Sequence, residues 1–178
     1  AVLQTFAPAD AVELAVVERS GFVESRHIGV AVVLGPDGQT LRSLGNVDAL
    51  ILPRSSMKPM QALACLTAGA SLEGAQLGMA TASHSGTDAH VTVVRDILDA
   101  AGLDESDLAC PAVWPTDSFT RDGMVRADQP PSPLRMNCSG KHAAMLLACK
   151  ANGWPTAGYL DSSHPLQLHI REVVERLT

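Results

Sequence analysis

The chain has 178 residues, which is enough for one domain with a real core or for a piece of a larger domain. Apolar residues make up 46% and charged residues 18%, so the composition excludes a disordered chain. The net charge of −6 and an aromatic content of only 3% argue against nucleic acid as a partner, and no apolar stretch reaches the length of a membrane span.

The first part of the chain predicts antiparallel strands. Residues 12–17 alternate weakly, residues 28–34 are rich in β-branched side chains, and residues 40–44 follow a Gly-Pro-Asp-Gly turn at 35–38. The charged segment 18–27 is interpreted as a strand edge plus turn, and a plain solvated face is the alternative. Together these segments predict an antiparallel meander.

A serine and a lysine follow these strands at the spacing Ser55-x-x-Lys58. Residues three apart lie on one face of a helix, one turn from each other. A lysine that is partly desolvated can lose its proton and activate a serine hydroxyl, and this spacing marks the nucleophile of β-lactamases and penicillin-binding proteins. The pair therefore predicts a serine amidohydrolase.

The same tetrapeptide also fits a plain helix start, with a capping serine and a solvated lysine. Pro59 is tolerated only in the first turn of a helix, so the helix is predicted to start near Ser55 or Ser56. That position places the serine at a strand-to-helix junction, where reactive hydroxyls are commonly found.

The rest of the chain is predicted to be mainly helical. Residues 111–133 contain five prolines and are predicted to be a loop, anchored by Val113, Trp114 and Phe119. Ser71 is expected to cap the second helix, and Asp161 or Ser162 the last one. The predicted helices are 56–69, 71–77, 89–101, a short turn at 104–108, 143–151 and 166–177.

Four cysteines occur at wide, irregular spacing, which is not the pattern of a disulfide framework. Cys65 and Cys149 fall within apolar helical patterns and are interpreted as core thiols. Residues 1–5 show no basic region before an apolar one, so no signal peptide is predicted. A reducing cytoplasm is the predicted location.

Five blocks of the sequence, in order along almost the whole chain, resemble the rhizobial-type (asparaginase II) L-asparaginase family. The most specific block is Asn-Cys-Ser-Gly-Lys-His at residues 137–142. The blocks are RSGFVESRH at 19–27, PRSSMKP at 53–59, ASHSG at 82–86, NCSGKHA at 137–143 and GYLD at 158–161 with His-Pro at 164–165.

The resemblance implies an α+β fold like that of serine β-lactamases, with an antiparallel sheet flanked by helices. It implies hydrolysis of L-asparagine to L-aspartate and ammonia by a catalytic set that maps to Ser55, Lys58 and Ser83. Ser85 is the second candidate for the Ser83 role, and close packing of a small residue is the alternative explanation of Ser83. The substrate is then a small molecule, with no nucleic acid or membrane partner.

The resemblance also implies a zinc ion held by a cysteine, a lysine and a second cysteine. The first two ligands map to Cys138 and Lys141. Two ligands do not satisfy tetrahedral zinc, so the ion is expected only where a third ligand is supplied. Without the family pattern, Cys138 is interpreted as a core thiol and Lys141 as a cation at a helix start. No cofactor is expected to be needed for the chemistry itself.

The second cysteine ligand and a second catalytic lysine have no counterpart in residues 1–178. The chain is therefore expected to be the N-terminal portion of a single β-lactamase-like asparaginase domain, with an incomplete fold. Such a portion would expose apolar surface and a sheet edge, so a homo-oligomer or association with a C-terminal half is expected. The alternatives to an active asparaginase are a penicillin-recognising hydrolase and an inactive fragment that needs a complementary half.

Overall fold

The computed structural model describes residues 4–178, and these fall into two compact units. The first unit ends at Pro53 and contains every strand that the structure describes. The second unit, Arg54–Thr178, contains all six α-helices of the described chain.

The first unit consists of two hairpins. Strand β1 (Val12–Arg19) pairs antiparallel with β2 (Phe22–Gly29), and β3 (Ala31–Leu34) pairs antiparallel with β4 (Thr40–Leu44). The prediction of one continuous meander is wrong at its middle, because the described strands form two separate two-stranded sheets. The predicted strand at 28–34 is divided between the end of β2 and β3.

The charged segment 18–27 contains strand and a turn, as predicted, but its strand part is longer than an edge, because residues 22–27 belong to β2. The chain reverses at Ser20 and Gly21, both of which have positive φ angles, of 50° and 79°. The charged side chains then meet across the hairpin: Arg19 and Glu24 form an ion pair at 3.1 Å. Alternation of opposite charges across a hairpin stabilises the strand pairing by a few tenths of a kcal/mol to about 1 kcal/mol.

Apolar side chains in this first unit are mostly accessible to solvent. Gly29 is the only buried residue among residues 4–53. Phe22 is 69% exposed and Leu34 is 57% exposed. The described hairpins thus have apolar faces without a core of their own.

The second unit is built around one central helix. Its helices are α1 (Lys58–Thr67), α2 (Gly74–Thr81), α3 (Asp88–Ala100), α4 (Ser118–Arg126), α5 (Ser139–Ala151) and α6 (Pro165–Leu177). Helix α5 contacts α1, α2, α3 and α6. Every residue from 139 to 149 except Lys141 is buried, which makes ten buried residues in this helix. A helix that is apolar on nearly every side is a core helix, and α5 is the centre of this unit.

Several helix boundaries differ from their predictions. Residues 54–57 form a 3-10 turn before α1, and Pro59 lies in the first turn of α1 as expected. Helix α2 starts at Gly74 with Glu73 in the capping position, so the prediction that Ser71 caps it is wrong. The side chain of His164, not that of Asp161 or Ser162, caps α6 by accepting the N–H of Leu166.

The segment predicted to be a loop at 111–133 contains helix α4. The Asp117 carboxylate accepts the N–H of Thr120 at 2.8 Å and caps the helix. The sequence signal was an acidic N-cap residue, which the surrounding prolines obscured. Phe119 is 83% exposed, so it does not anchor this segment to the core.

The predicted α+β fold class is confirmed, because the described chain combines helices with small antiparallel sheets. Cys65 and Cys149 are fully buried within the helical core, as predicted, and both are free thiols. The described chain has no helix long and apolar enough to cross a membrane. That the whole chain is part of one domain stays a prediction.

Candidate active site

A cavity of about 400 Å³ lies in the helical unit, between the start of α1 and the start of α5. Ser55, Lys58, Cys138 and Lys141, four of the five predicted site residues, line it. Arg54, Gln61, Met136 and Asn137 complete the lining, so that none of the eight residues carries a carboxylate. Arg54 and Lys141 are cationic, and the cavity suits a ligand with a negative charge.

Lys58 is buried, with 5% of its surface exposed. Its Nζ donates to Ser83 Oγ at 2.5 Å and to the carbonyl oxygen of Ala82 at 3.2 Å. A neutral amine has two N–H groups and one lone pair. These two acceptors therefore satisfy both N–H groups and leave the lone pair free to take a proton.

The electrostatic environment of Lys58 favours that neutral form. Burial lowers the pKa of Lys58 below its ordinary value of 10.5, because the charged ammonium loses hydration. Cys138 acts in the opposite direction and raises this pKa, while the charge of Lys141 lowers it again. The net result is a lysine that gives up its proton more readily than a lysine in water.

Ser55 lies on the exposed 3-10 turn that leads into α1, at the rim of the same cavity. The preceding residue, Arg54, has a φ of 49°, a left-handed conformation that is uncommon for a residue with a side chain. Strained backbone of this kind is concentrated at functional sites, where it fixes the direction of a side chain. The sequence signal for Ser55 was the S-x-x-K spacing.

Ser83 belongs to the segment between α2 and α3 and reaches the site through Lys58. The structure brings all five predicted site residues together: Ser83 by its hydrogen bond to Lys58, and the other four through the shared cavity.

Cys138 and Lys141 occupy the start of α5, with Cys138 at the capping position. Cys138 Sγ lies 3.1 Å from the Met136 sulfur and is only partly buried. Among residues 4–178, no three His, Cys, Asp or Glu side chains are close enough together to hold a metal ion. The donors present are thus two of the three that the family resemblance implies for zinc, and they face one cavity.

Two buried histidine contacts were not anticipated from the sequence. His84 Nε2 lies 3.0 Å from Ser139 Oγ, and His142 Nδ1 lies 2.8 Å from the Tyr159 hydroxyl. His142 is packed in the core, with 7% of its surface exposed. Nothing local in the sequence distinguishes these histidines, because their partners are 55 and 17 residues away.

Comparison with known proteins adds one finding. The family model described as L-asparaginase II matches residues 15–178, which is most of the chain and includes every predicted site residue. No curated protein matches the sequence.

Proposed function

Because the chain belongs to the L-asparaginase II family, we propose that its cavity hydrolyses the side-chain amide of L-asparagine to L-aspartate and ammonia. Ser55 is the nucleophile, and Lys58 is the base that activates it. The observation that supports this assignment most strongly is the buried Lys58 amine, whose two N–H groups are occupied beside a cavity that it shares with Ser55.

The first half of the reaction forms an ester. Ser55 Oγ attacks the amide carbon while its proton moves to the lone pair of Lys58, giving a tetrahedral intermediate. The backbone N–H of Ser55 is one donor for the oxyanion. The proton then passes through Ser83 to the amide nitrogen, the carbon–nitrogen bond breaks, and ammonia leaves.

The second half of the reaction hydrolyses the ester and regenerates the free serine. A water molecule attacks the ester carbonyl, Lys58 accepts one of its protons, and that proton passes to Ser55 Oγ as the carbon–oxygen bond breaks. The contact of 2.5 Å between Lys58 Nζ and Ser83 Oγ supports this proton path, because proton transfer requires direct hydrogen-bond contact.

The charges around the cavity fit an amino acid with a free α-carboxylate. Arg54 and Lys141 are cations on the lining, and the guanidinium of Arg54 has the planar shape that binds a carboxylate through two hydrogen bonds. A substrate lacking the α-carboxylate would lose this interaction.

The zinc ion implied by the family would be held by Cys138 and Lys141 together with a ligand from outside the described residues. Because a lysine binds zinc as a neutral amine, the bound ion would supply positive charge beside the cavity in place of the charge of Lys141. Neither of these residues is needed in the serine and lysine steps above. A serine β-lactamase-like arrangement, a homo-oligomer and a complementary C-terminal half remain part of the same proposal.

The proposal is tested by ammonia release from L-asparagine in the complete natural polypeptide. Ser55→Ala and Lys58→Met should each lower kcat by a factor of about 10² to 10⁴ or more. The matched controls are Ser162→Ala and Lys150→Met, which change exposed residues outside the cavity and should leave release unchanged.

Undiminished ammonia release by Ser55→Ala or Lys58→Met would overturn the proposed roles. A labelled penicillin serves as a second probe. Stable acylation of Ser55 by penicillin, without ammonia release from L-asparagine, would show that the protein is a penicillin-recognising hydrolase and not an asparaginase.

A further inference from the structure

The segment 82–86, between α2 and α3, has no regular secondary structure, yet its polar groups are closely held. Lys58 Nζ donates to Ala82 O and to Ser83 Oγ, and the N–H of His84 donates to Asn137 O at 3.0 Å. A loop bonded at successive residues has one conformation, and the Ser83 hydroxyl has one position.

The side chain of His84 extends this network into the core. The N–H of Gly86 donates to His84 Nδ1 at 3.1 Å, so Nδ1 acts as an acceptor and carries no proton. The proton is then on Nε2, which donates to Ser139 Oγ at 3.0 Å. The Ser139 hydroxyl donates in turn to Leu134 O at 2.8 Å, so every polar group in this relay is satisfied.

This arrangement requires a neutral histidine that is shielded from water. His84 is 8% exposed and Ser139 is fully buried. A charged imidazole would have a proton on Nδ1, facing the N–H of Gly86, and the two donors would repel each other. The relay therefore fixes one tautomer of His84 and, through it, the path of the backbone on both sides.

One end of the relay adjoins the hydrogen-bond partner of Lys58, and the other end adjoins a residue that lines the cavity. His84 directly follows Ser83, whose hydroxyl accepts from Lys58. Ser139 directly follows Cys138, which lines the cavity at the start of α5. Movement of His84 would displace Ser83 from Lys58 without touching the nucleophile.

We propose that His84 is a positioning residue of the active site: its bond to Ser139 holds Ser83 on Lys58 and so aligns the proton path to the leaving ammonia. This inference rests on the proposed function. Misalignment of about 1 Å can cost a factor of about 10² in rate, because proton transfer depends on contact distance.

The experiment compares kcat and KM for L-asparagine in the complete natural polypeptide. His84→Ala should lower kcat about 100-fold and change KM by less than about threefold, since Ser83 is placed for a step after substrate binding. His84→Gln keeps a donor near the Nε2 position and should recover most of the lost kcat. His169→Gln is the matched control, because His169 also bonds a hydroxyl, that of Thr67 at 2.9 Å, away from the cavity.

The Ser139→Ala variant and the double variant His84→Ala/Ser139→Ala complete a double-mutant cycle. The double variant should lose no more than the worse single variant, because both changes break the same contact. Tryptophan fluorescence identifies any variant that fails to fold. If His84→Ala fails to fold, the kcat of His84→Gln is compared with that of wild type instead.

Additive losses in the double variant, or a kcat within threefold of wild type for His84→Ala, would overturn the positioning role. The two proposals fail separately. If Ser55→Ala abolishes ammonia release while His84→Ala does not reduce kcat, only the role of His84 is wrong. If Ser55→Ala remains active, the proposed function is wrong.

Discussion

The two units of the chain differ in how far their apolar side chains are buried. In the helical unit, large residues such as Leu146 and Ile97 are fully buried around α5. In the hairpin unit, Gly29 is the only buried residue among those described, and Leu34 and Phe22 are largely exposed. The helical unit thus has a core of its own, and the hairpin unit does not.

The candidate active site lies in only one of these two units. Every residue that lines the cavity lies in the helical unit, on a turn or helix end whose position is fixed by the packing of α1 and α5. Packed helices can hold a catalytic group to within a fraction of an ångström, which hairpins without a core do not achieve. The exposed apolar faces of the hairpins are instead suited to burial against another surface.

The largest expected effect is on the stability of the helical core. Leu146→Ala removes a fully buried side chain and should lower the free energy of unfolding by about 2–5 kcal/mol. Both tryptophans, Trp114 and Trp154, lie in the helical unit, so denaturant unfolding followed by tryptophan fluorescence measures this unit selectively.

Leu34→Ala is the matched change in the hairpin unit. Because Leu34 is 57% exposed, its loss should change the same unfolding transition by less than about 0.5 kcal/mol. Equal losses for Leu34→Ala and Leu146→Ala would contradict the comparison. If the Leu34→Ala loss depended on protein concentration, the hairpin face would be an interface between copies.

The next effect is the pH dependence of stability that comes from His84. Burial, together with smaller contributions from the neighbouring His90 and Lys58, lowers the pKa of His84 from 6.5 to about 4. Between these two pH values the unfolded chain binds the proton and the folded chain does not. The free energy of unfolding therefore falls as the pH falls from about 6.5 to about 4, by about 3 kcal/mol from this group.

His84→Gln removes this titration. The variant should lose about 3 kcal/mol less than wild type over the same pH range, whatever its stability at neutral pH. The measurement is a set of denaturant unfolding curves across that range. Parallel pH dependences in wild type and His84→Gln would show that His84 is not held neutral by the fold.

A smaller effect is expected where α5 approaches α2. A Cβ atom added to Gly140 would lie 2.6 Å from the carbonyl oxygen of Met79, so Gly140→Ala must push the helices apart. We expect a loss of about 1–3 kcal/mol and a lower kcat, because the start of α5 lines the cavity. Gly123→Ala on α4 meets no atom within 4 Å and should be neutral or stabilising by up to about 1 kcal/mol. Equal stability of the two variants would contradict the close approach.

The helical unit was more predictable from sequence than the hairpin unit. Periodicity identified α3 and α6 to within about a residue, because an amphipathic helix records its buried face in the sequence. The S-x-x-K spacing and the family resemblance predicted Ser55, Lys58, Ser83, Cys138 and Lys141 as site residues, and the fold places these five close together.

The errors have physical causes. Helix α4 was missed because prolines on both sides suggested a loop, although Asp117 supplies a local cap. The length of strand β2 was underestimated because its charges pair across the hairpin instead of alternating with apolar residues. The relay through His84 could not be predicted, since it depends on a partner, Ser139, that only the tertiary fold brings within reach.

The most direct test of the proposed chemistry is to identify the residue that becomes acylated. The complete natural polypeptide would be mixed with L-asparagine, quenched in acid within the first turnover, and mapped by peptide mass spectrometry. We predict an aspartyl ester on Ser55, formed together with a burst of ammonia, and no ester in the Lys58→Met variant. An ester on Ser56 or Ser83, or a burst of ammonia with no ester anywhere on the chain, would contradict Ser55 as the nucleophile.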